Sequence, residues 1–330
     1  MKERIAYVDA AKASAIILMV IGHCYWKHGI PYVDSWIYSF HMPLFFIISG
    51  MFIKDLSLSQ GLHKYSKAYL KPYFITCLLI AGINLSGTAL CHSETTEEAL
   101  KTEIIKIFFA SGYAQGEELF ATTPAIGCLW FLFAMFWACT IYSFLKKHFD
   151  VIQRMVWVFV IFALAYFSIQ KIRLPFSFQA GCSAVFYLWV GDMVKSYSFM
   201  EKMERFKKVT ISAATLIWIT SVVFAGGVSI SVLDFGNLYG LSIIKLPVSV
   251  IASCLVIYAV KAIHLSGGWI GTSTLYILCG HKLVTTTMGA THVNWNLLSF
   301  ASPANFMIEA IIQILCALLL GLVLKKIKLF

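Results

Sequence analysis

The chain has 330 residues, 59% hydrophobic and 13% charged, with mean hydropathy +0.79 and a formal charge of +10. A soluble domain carries roughly a quarter charged residues, so this balance excludes an ordinary soluble enzyme and points to a polytopic membrane protein. The Lys and Arg residues cluster between apolar runs, so the positive charge reads as membrane topology and not as nucleic-acid binding.

Taken in order, apolar runs predict an all-α bundle of about ten spans near 5–26, 35–53, 69–90, 126–145, 152–170, 176–194, 209–226, 241–260, 268–289 and 304–324. With both termini inside, the internal segments hold the basic groups Lys64, Lys67, Lys71; Lys146, Lys147, Arg154; Lys195, Lys202, Arg205, Lys207, Lys208; and Lys325, Lys326, Lys328. The external segments hold only Lys27, Lys101, Lys106, Lys171 and Arg173, as the positive-inside rule requires. The external loop 91–125 is acidic, and its centre, Thr96 to Ala110, has helical periodicity. Segment 227–240 reads as a further external loop, and the whole chain, 1–330, as one membrane domain. Lys12 interrupts the first run and no small-residue cleavage site follows, so a retained first span is expected over a signal peptide. Cysteines such as Cys77, Cys128, Cys139, Cys254 and Cys316 lie in or beside apolar runs without C-x-x-C spacing and read as small buried hydrophobes.

Polar residues inside these spans need a reason to be there. Burying an ammonium at mid-depth costs roughly 2.5–3.5 kcal/mol on insertion scales. The first span nevertheless contains Asp9, Lys12 and His23. Lys12 and His23 are about three helical turns apart, so they project from one face with about 16 Å between them along the axis. Asp9, one turn before Lys12, is expected to pair with it. His41 in the second span, followed by Pro43, and His281 in the ninth should reach the same outer-half depth as His23. Pro43 favours a kink beside His41. A neutral imidazole suits general-base work near neutral pH. Lys12 and the basic loop Lys64, Lys67 and Lys71 could attract an anion at the inner side. Three histidines could also hold zinc, but no closely paired ligand motif supports a metal.

The residues from Tyr7 to Lys12, then His23 eleven positions on, resemble the basic-x10-His motif of the acyltransferase-3 family of integral membrane acyltransferases. Phe40 to Gly50 (FHMPLFFIISG) is similar to that family's second-helix signature. LWFL at Leu129 to Leu132, YLWVGD at Tyr187 to Asp192, and LYILCGH at Leu275 to His281 are similar to its later motifs. The likeness spans nearly the full length and is most specific in the first 53 residues. Where the family carries Arg-x-x-Arg before the third helix, this chain has Lys67 and Lys71.

The resemblance implies an O-acetyltransferase-like enzyme in the bacterial cytoplasmic (inner) membrane, acting in surface-polysaccharide or O-antigen biosynthesis. It implies acyl-CoA, usually acetyl-CoA, as co-substrate and a glycan or lipid-linked sugar hydroxyl as acceptor, among membrane lipid and with no nucleic acid. His23, Lys12 and His41 are then the catalytic candidates, with Asp9, Ser49, Lys67, Lys71, Trp130 and His281 binding the donor or supporting the site. A transporter or flippase for a lipid-linked or acylated sugar is the alternative, since intramembrane charges also mark substrate paths. The first five spans do not echo the last five, so the inverted repeat of many transporters is not visible.

Overall fold

The computed structural model describes residues 5–25, 32–91, 95–112, 124–169, 171–205, 208–228, 244–290 and 303–330. All regular structure among them is helical, in an all-α polytopic membrane bundle. Most of segment 227–240, and residues 92–94 and 113–123 of loop 91–125, lie outside the described residues.

Among the described residues, seven helical stretches are long and apolar enough to cross a membrane: Ala6–Cys24, Leu58–Ala89, Gly127–His148, Val151–Ile169, Lys208–Ala225, Lys245–Ala262 and Met307–Lys326. The other three predicted spans are helical too, but shorter or less apolar. The second divides into α2 (Val33–Tyr38) and α3 (His41–Met51). The sixth forms α9 (Phe178–Ser196), and the ninth divides into α13 (Gly268–Thr272) and α14 (Thr274–Ala290).

Two local expectations change. The second span is interrupted beside His41 as expected, but as a full break at Ser39–Phe40 that Pro43 does not cause. Pro43 falls in the first turn of α3, where its missing N–H has no helical partner to lose. Trp218 Nε1 donates to Ser39 Oγ at 2.8 Å, and Ser253 Oγ donates to the Phe40 carbonyl at 3.3 Å, so the break is pinned from two neighbouring helices. The basic "loop" holding Lys64, Lys67 and Lys71 is also helical. A capping box, Ser57 with Gln60, starts α4 (Leu58–Tyr65), which passes through a π turn at Ser66–Leu70 into α5 (Lys71–Cys91). The helix expected over Thr96 to Ala110 is present as α6 (Thr96–Phe109), opened by a second capping box, Thr95 with Glu98.

The core is one apolar cluster drawing on nearly every helix. Among the spans, α7 (Trp130–His148) is central, with 78% of its apolar window buried, whereas α11 (Lys208–Ala225) is peripheral at 17%. Exposed Leu216 and Phe224 on α11, and Ile152 and Leu164 on α8 (Val151–Ile169), suit contact with lipid. Cys24, Cys77, Cys128, Cys139, Cys182, Cys254 and Cys279 are buried free thiols that fill the core as small hydrophobes.

Small residues set the closest crossings. A Cβ on Gly50 of α3 would stand 2.1 Å from the Leu188 carbonyl oxygen, and one on Gly191 of α9 would stand 1.9 Å from that of Ile47. Gly280 of α14 and Gly321 of α15 (Pro303–Lys326) likewise face each other's helix backbone. The FHMPLFFIISG and YLWVGD segments thus meet at one glycine-glycine crossing.

Candidate active site

Three helices bring the site together: α1 (Ala6–Tyr25), α3 and α14. Helix α1 is unbroken, so the axial separation of Lys12 and His23 stays near 16 Å at about 1.5 Å per residue. At its start, Lys12 Nζ lies 3.8 Å from Asp9 Oδ1, the expected pair, with both side chains partly accessible. Helix α13 sits directly on this turn. A Cβ on Gly267 or Gly271 would come within 2.1 Å of the Asp9 carbonyl oxygen, so only glycine allows this approach. Close by, Lys325 Nζ donates to Ser273 Oγ at 2.8 Å, tying the end of α15 to the α13–α14 break.

At the other end of α1, the His23 and His281 rings are 5.3 Å apart between centroids and nearly edge-to-face, at 72°. His41 is buried at 1% exposure and lies within electrostatic range of His23. The three predicted histidines therefore form one cluster. Their hydrogen bonds determine which nitrogen is free. His23 Nδ1 lies 2.8 Å from the Met19 carbonyl, and His41 Nδ1 lies 2.8 Å from that of Ile37. A carbonyl oxygen only accepts, so in both rings Nδ1 carries the proton and Nε2 holds the lone pair. His281 differs: it is 1% exposed and its buried Nδ1 has no hydrogen-bond partner among the described residues. A buried, unpaired ring nitrogen costs stability unless water or a ligand satisfies it.

The remaining candidates fall elsewhere. Ser49 Oγ donates to the Phe45 carbonyl of its own helix at 2.8 Å, and its neighbour Gly50 makes the α3–α9 crossing. Lys67 lies in the π turn and Lys71 directly follows it, both exposed and without an ion pair among the described residues. Trp130 opens α7 at 7% exposure, directly after the 3-10 turn Gly127–Leu129.

The structure also exposes polar residues that the linear pattern concealed. Lys282, beside His281, extends to the turn at Gly127, where a Cβ would stand 3.1 Å from its Nζ. Its signal was visible as a second ionisable residue in the ninth span. Asp192, at 3% exposure, accepts from Tyr142 Oη (2.7 Å), Lys146 Nζ (2.9 Å) and Arg154 Nη1 (3.1 Å), clamping α7, α8 and α9 together. Glu103 of α6 is buried and accepts from Asn84 and Lys106, at 2.9 and 2.6 Å. In α15, Gln313 Nε2 donates to Glu309 Oε1 at 3.0 Å, with both side chains buried. Their i, i+4 spacing was the available clue. Among the described residues no three His, Cys, Asp or Glu side chains converge as metal ligands.

Such a cluster offers a lone pair, an orphaned ring nitrogen and a nearby ammonium in one apolar setting. That is equipment for moving a proton beside a developing negative charge. No curated protein and no solved structure matches the chain. Residues 5–325, nearly its whole length, match the acyltransferase domain that defines the acyltransferase-3 family. The chain belongs to that family and is a multi-pass membrane acyltransferase.

Proposed function

We propose that the protein transfers an acyl group, acetyl in the first instance, from acyl-CoA to a hydroxyl of a surface glycan or glycolipid at a bacterial cytoplasmic membrane. The observation that carries this reading is the 2.8 Å contact of His23 Nδ1 with the Met19 carbonyl, which commits the Nδ1 proton and leaves Nε2 as base. His23 Nε2 takes the acceptor hydroxyl proton as that oxygen attacks the thioester carbonyl carbon. The new C–O bond forms, the C–S bond breaks, and the departing thiolate recovers the proton from the imidazolium. His281, 5.3 Å away, and His41 orient the reacting groups.

At the opposite end of α1, the partly accessible Lys12–Asp9 pair is the proposed donor-phosphate end. The pantetheine arm then bridges the length of the helix to the histidines. In this arrangement the termini are cytoplasmic, the donor enters from inside and the acceptor from outside. Lys12 supplies a point charge to a phosphate and not the bidentate fork of an arginine.

Membranes containing the protein, given radiolabelled acetyl-CoA and envelope glycan, are expected to move label to the glycan. His23→Gln should lower that rate by about 10²–10⁴-fold, the usual contribution of a general base, without loss of inserted protein. Retention of wild-type transfer by the variant removes the base assignment. Sugar translocation without label transfer would establish a flippase instead.

A further inference from the structure

Lys282 is an ammonium in α14, the helix of the predicted ninth span, and differs from the basic residues held in ion pairs. Lys12 pairs with Asp9, Lys106 with Glu103, Lys146 and Arg154 with Asp192, and Lys261 with Glu204. Among the described residues Lys282 has no carboxylate partner. An uncompensated ammonium in a low-dielectric setting is costly, and such groups persist where function needs them.

Its surroundings indicate what it awaits. The Nζ reaches the Gly127 turn, whose φ of +73° favours glycine. Among the described titratable groups in its electrostatic range are His23, His281, Cys77 and Cys128. Imidazoles and buried thiols do not supply a standing negative charge to balance it. Helix α14 therefore places a cation one residue from His281, whose ring lies 5.3 Å from His23.

We infer that Lys282 stabilises the oxyanion that develops on the acyl carbonyl oxygen during transfer, making it a further catalytic residue. The inference rests on the acyl-transfer reading above. As the acceptor oxygen attacks, the carbonyl π electrons move to oxygen and the ammonium compensates that charge. When the C–S bond breaks the electrons return, so Lys282 neither gains nor loses a proton. His23 handles the proton and Lys282 the charge, from neighbouring helices. The same cation could instead hold a permanent anion, a phosphate or carboxylate of the acceptor, and this difference is measurable.

The test compares wild type with Lys282→Met and Lys282→Arg in native membranes, using radiolabelled acetyl-CoA and a titrated envelope-glycan acceptor. Lys282→Met is expected to lower kcat about 10²-fold, as loss of one oxyanion-stabilising group does, with KM for both substrates within about threefold of wild type. Lys282→Arg, which keeps the charge, should recover part of kcat and guards against a loss caused only by misfolding. A kcat for Lys282→Met within about threefold of wild type overturns the inference and leaves acyl transfer standing. A loss confined to KM for the acceptor also overturns it, in favour of a permanent anion. Equal loss in both variants alongside a lowered melting temperature overturns it in favour of a structural role. If wild type itself moves no label, both the inference and the transfer reading fall.

Discussion

Replacing Gly271 by alanine tests how the start of α1 is positioned. The added Cβ would stand 2.1 Å from the Asp9 carbonyl oxygen, whereas ordinary contact begins at 3.4 Å. Helix α13 must therefore retreat from α1 by about 1.3 Å, or the Asp9 turn must deform by as much. Overpacking of this kind costs about 1–3 kcal/mol. Displacement of a substrate-positioning group by about 1 Å can cost as much as 10²-fold in rate. Gly271→Ala should accordingly lower the melting temperature of the purified protein and slow acetyl transfer from labelled acetyl-CoA. The control is Gly82→Ala in α5, where nothing lies within 4 Å of the new Cβ. There alanine removes only a helix-interior glycine and should be neutral or stabilising by up to about 1 kcal/mol. If Gly271→Ala matches wild type in both melting and transfer, the α1–α13 contact does not position the donor end and the reasoning fails.

Asp192→Asn should destabilise the protein far more than Tyr142→Phe. The first leaves Lys146 and Arg154 without their buried carboxylate, a loss of about 3–5 kcal/mol, while the second removes one hydrogen bond worth about 1 kcal/mol. Similar melting temperatures for the two variants would show that the α7–α8–α9 clamp carries little. Helix α6 should respond to acid. Hydrogen bonds from Thr95 hold the Glu98 carboxyl below its ordinary value of 4.5, so the charged form stabilises the helix start at neutral pH. That stabilisation is full above the ordinary value and is lost as pH falls through the lower, folded one. Hydrogen exchange at the first turn of α6 should therefore quicken in acid, and Glu98→Gln should flatten the dependence. An unchanged exchange profile in the variant would assign the effect to another carboxylate.

The histidine cluster was legible because helical geometry is periodic. A single predicted helix carries Lys12 and His23 at a spacing that puts them on one face, and depth matching added His41 and His281. The interruption beside His41 was anticipated but its cause was not: Ser39–Phe40 contains no glycine or proline, and Pro43, three residues on, is accommodated in the first turn of α3. What holds that break, the Trp218 indole on Ser39, comes from a residue far along the chain and leaves no local trace. The helix through Lys64 was hidden by its charge, although Ser57 with Gln60 is a readable start signal. Lys282 was visible as a residue but not as a partnerless one. Whether an ammonium has a counter-ion is a property of neighbouring helices, and no linear pattern encodes it. Asp192 illustrates the converse: its motif was noticed, but its three donors come from two other helices.

The glycine crossings have a mechanical consequence. Backbone against backbone leaves no side chain to re-pack, so α3 with α9, α14 with α15, and the first turn of α1 with α13 each behave as a stiff couple. The three imidazoles ride on different couples: His41 on the first, His281 on the second and His23 on α1. Sliding within a couple meets hard repulsion, while tilting one couple against another needs only rotamer changes. Compliance is therefore expected in the gaps between the rings, where the proposed reaction places the reacting atoms.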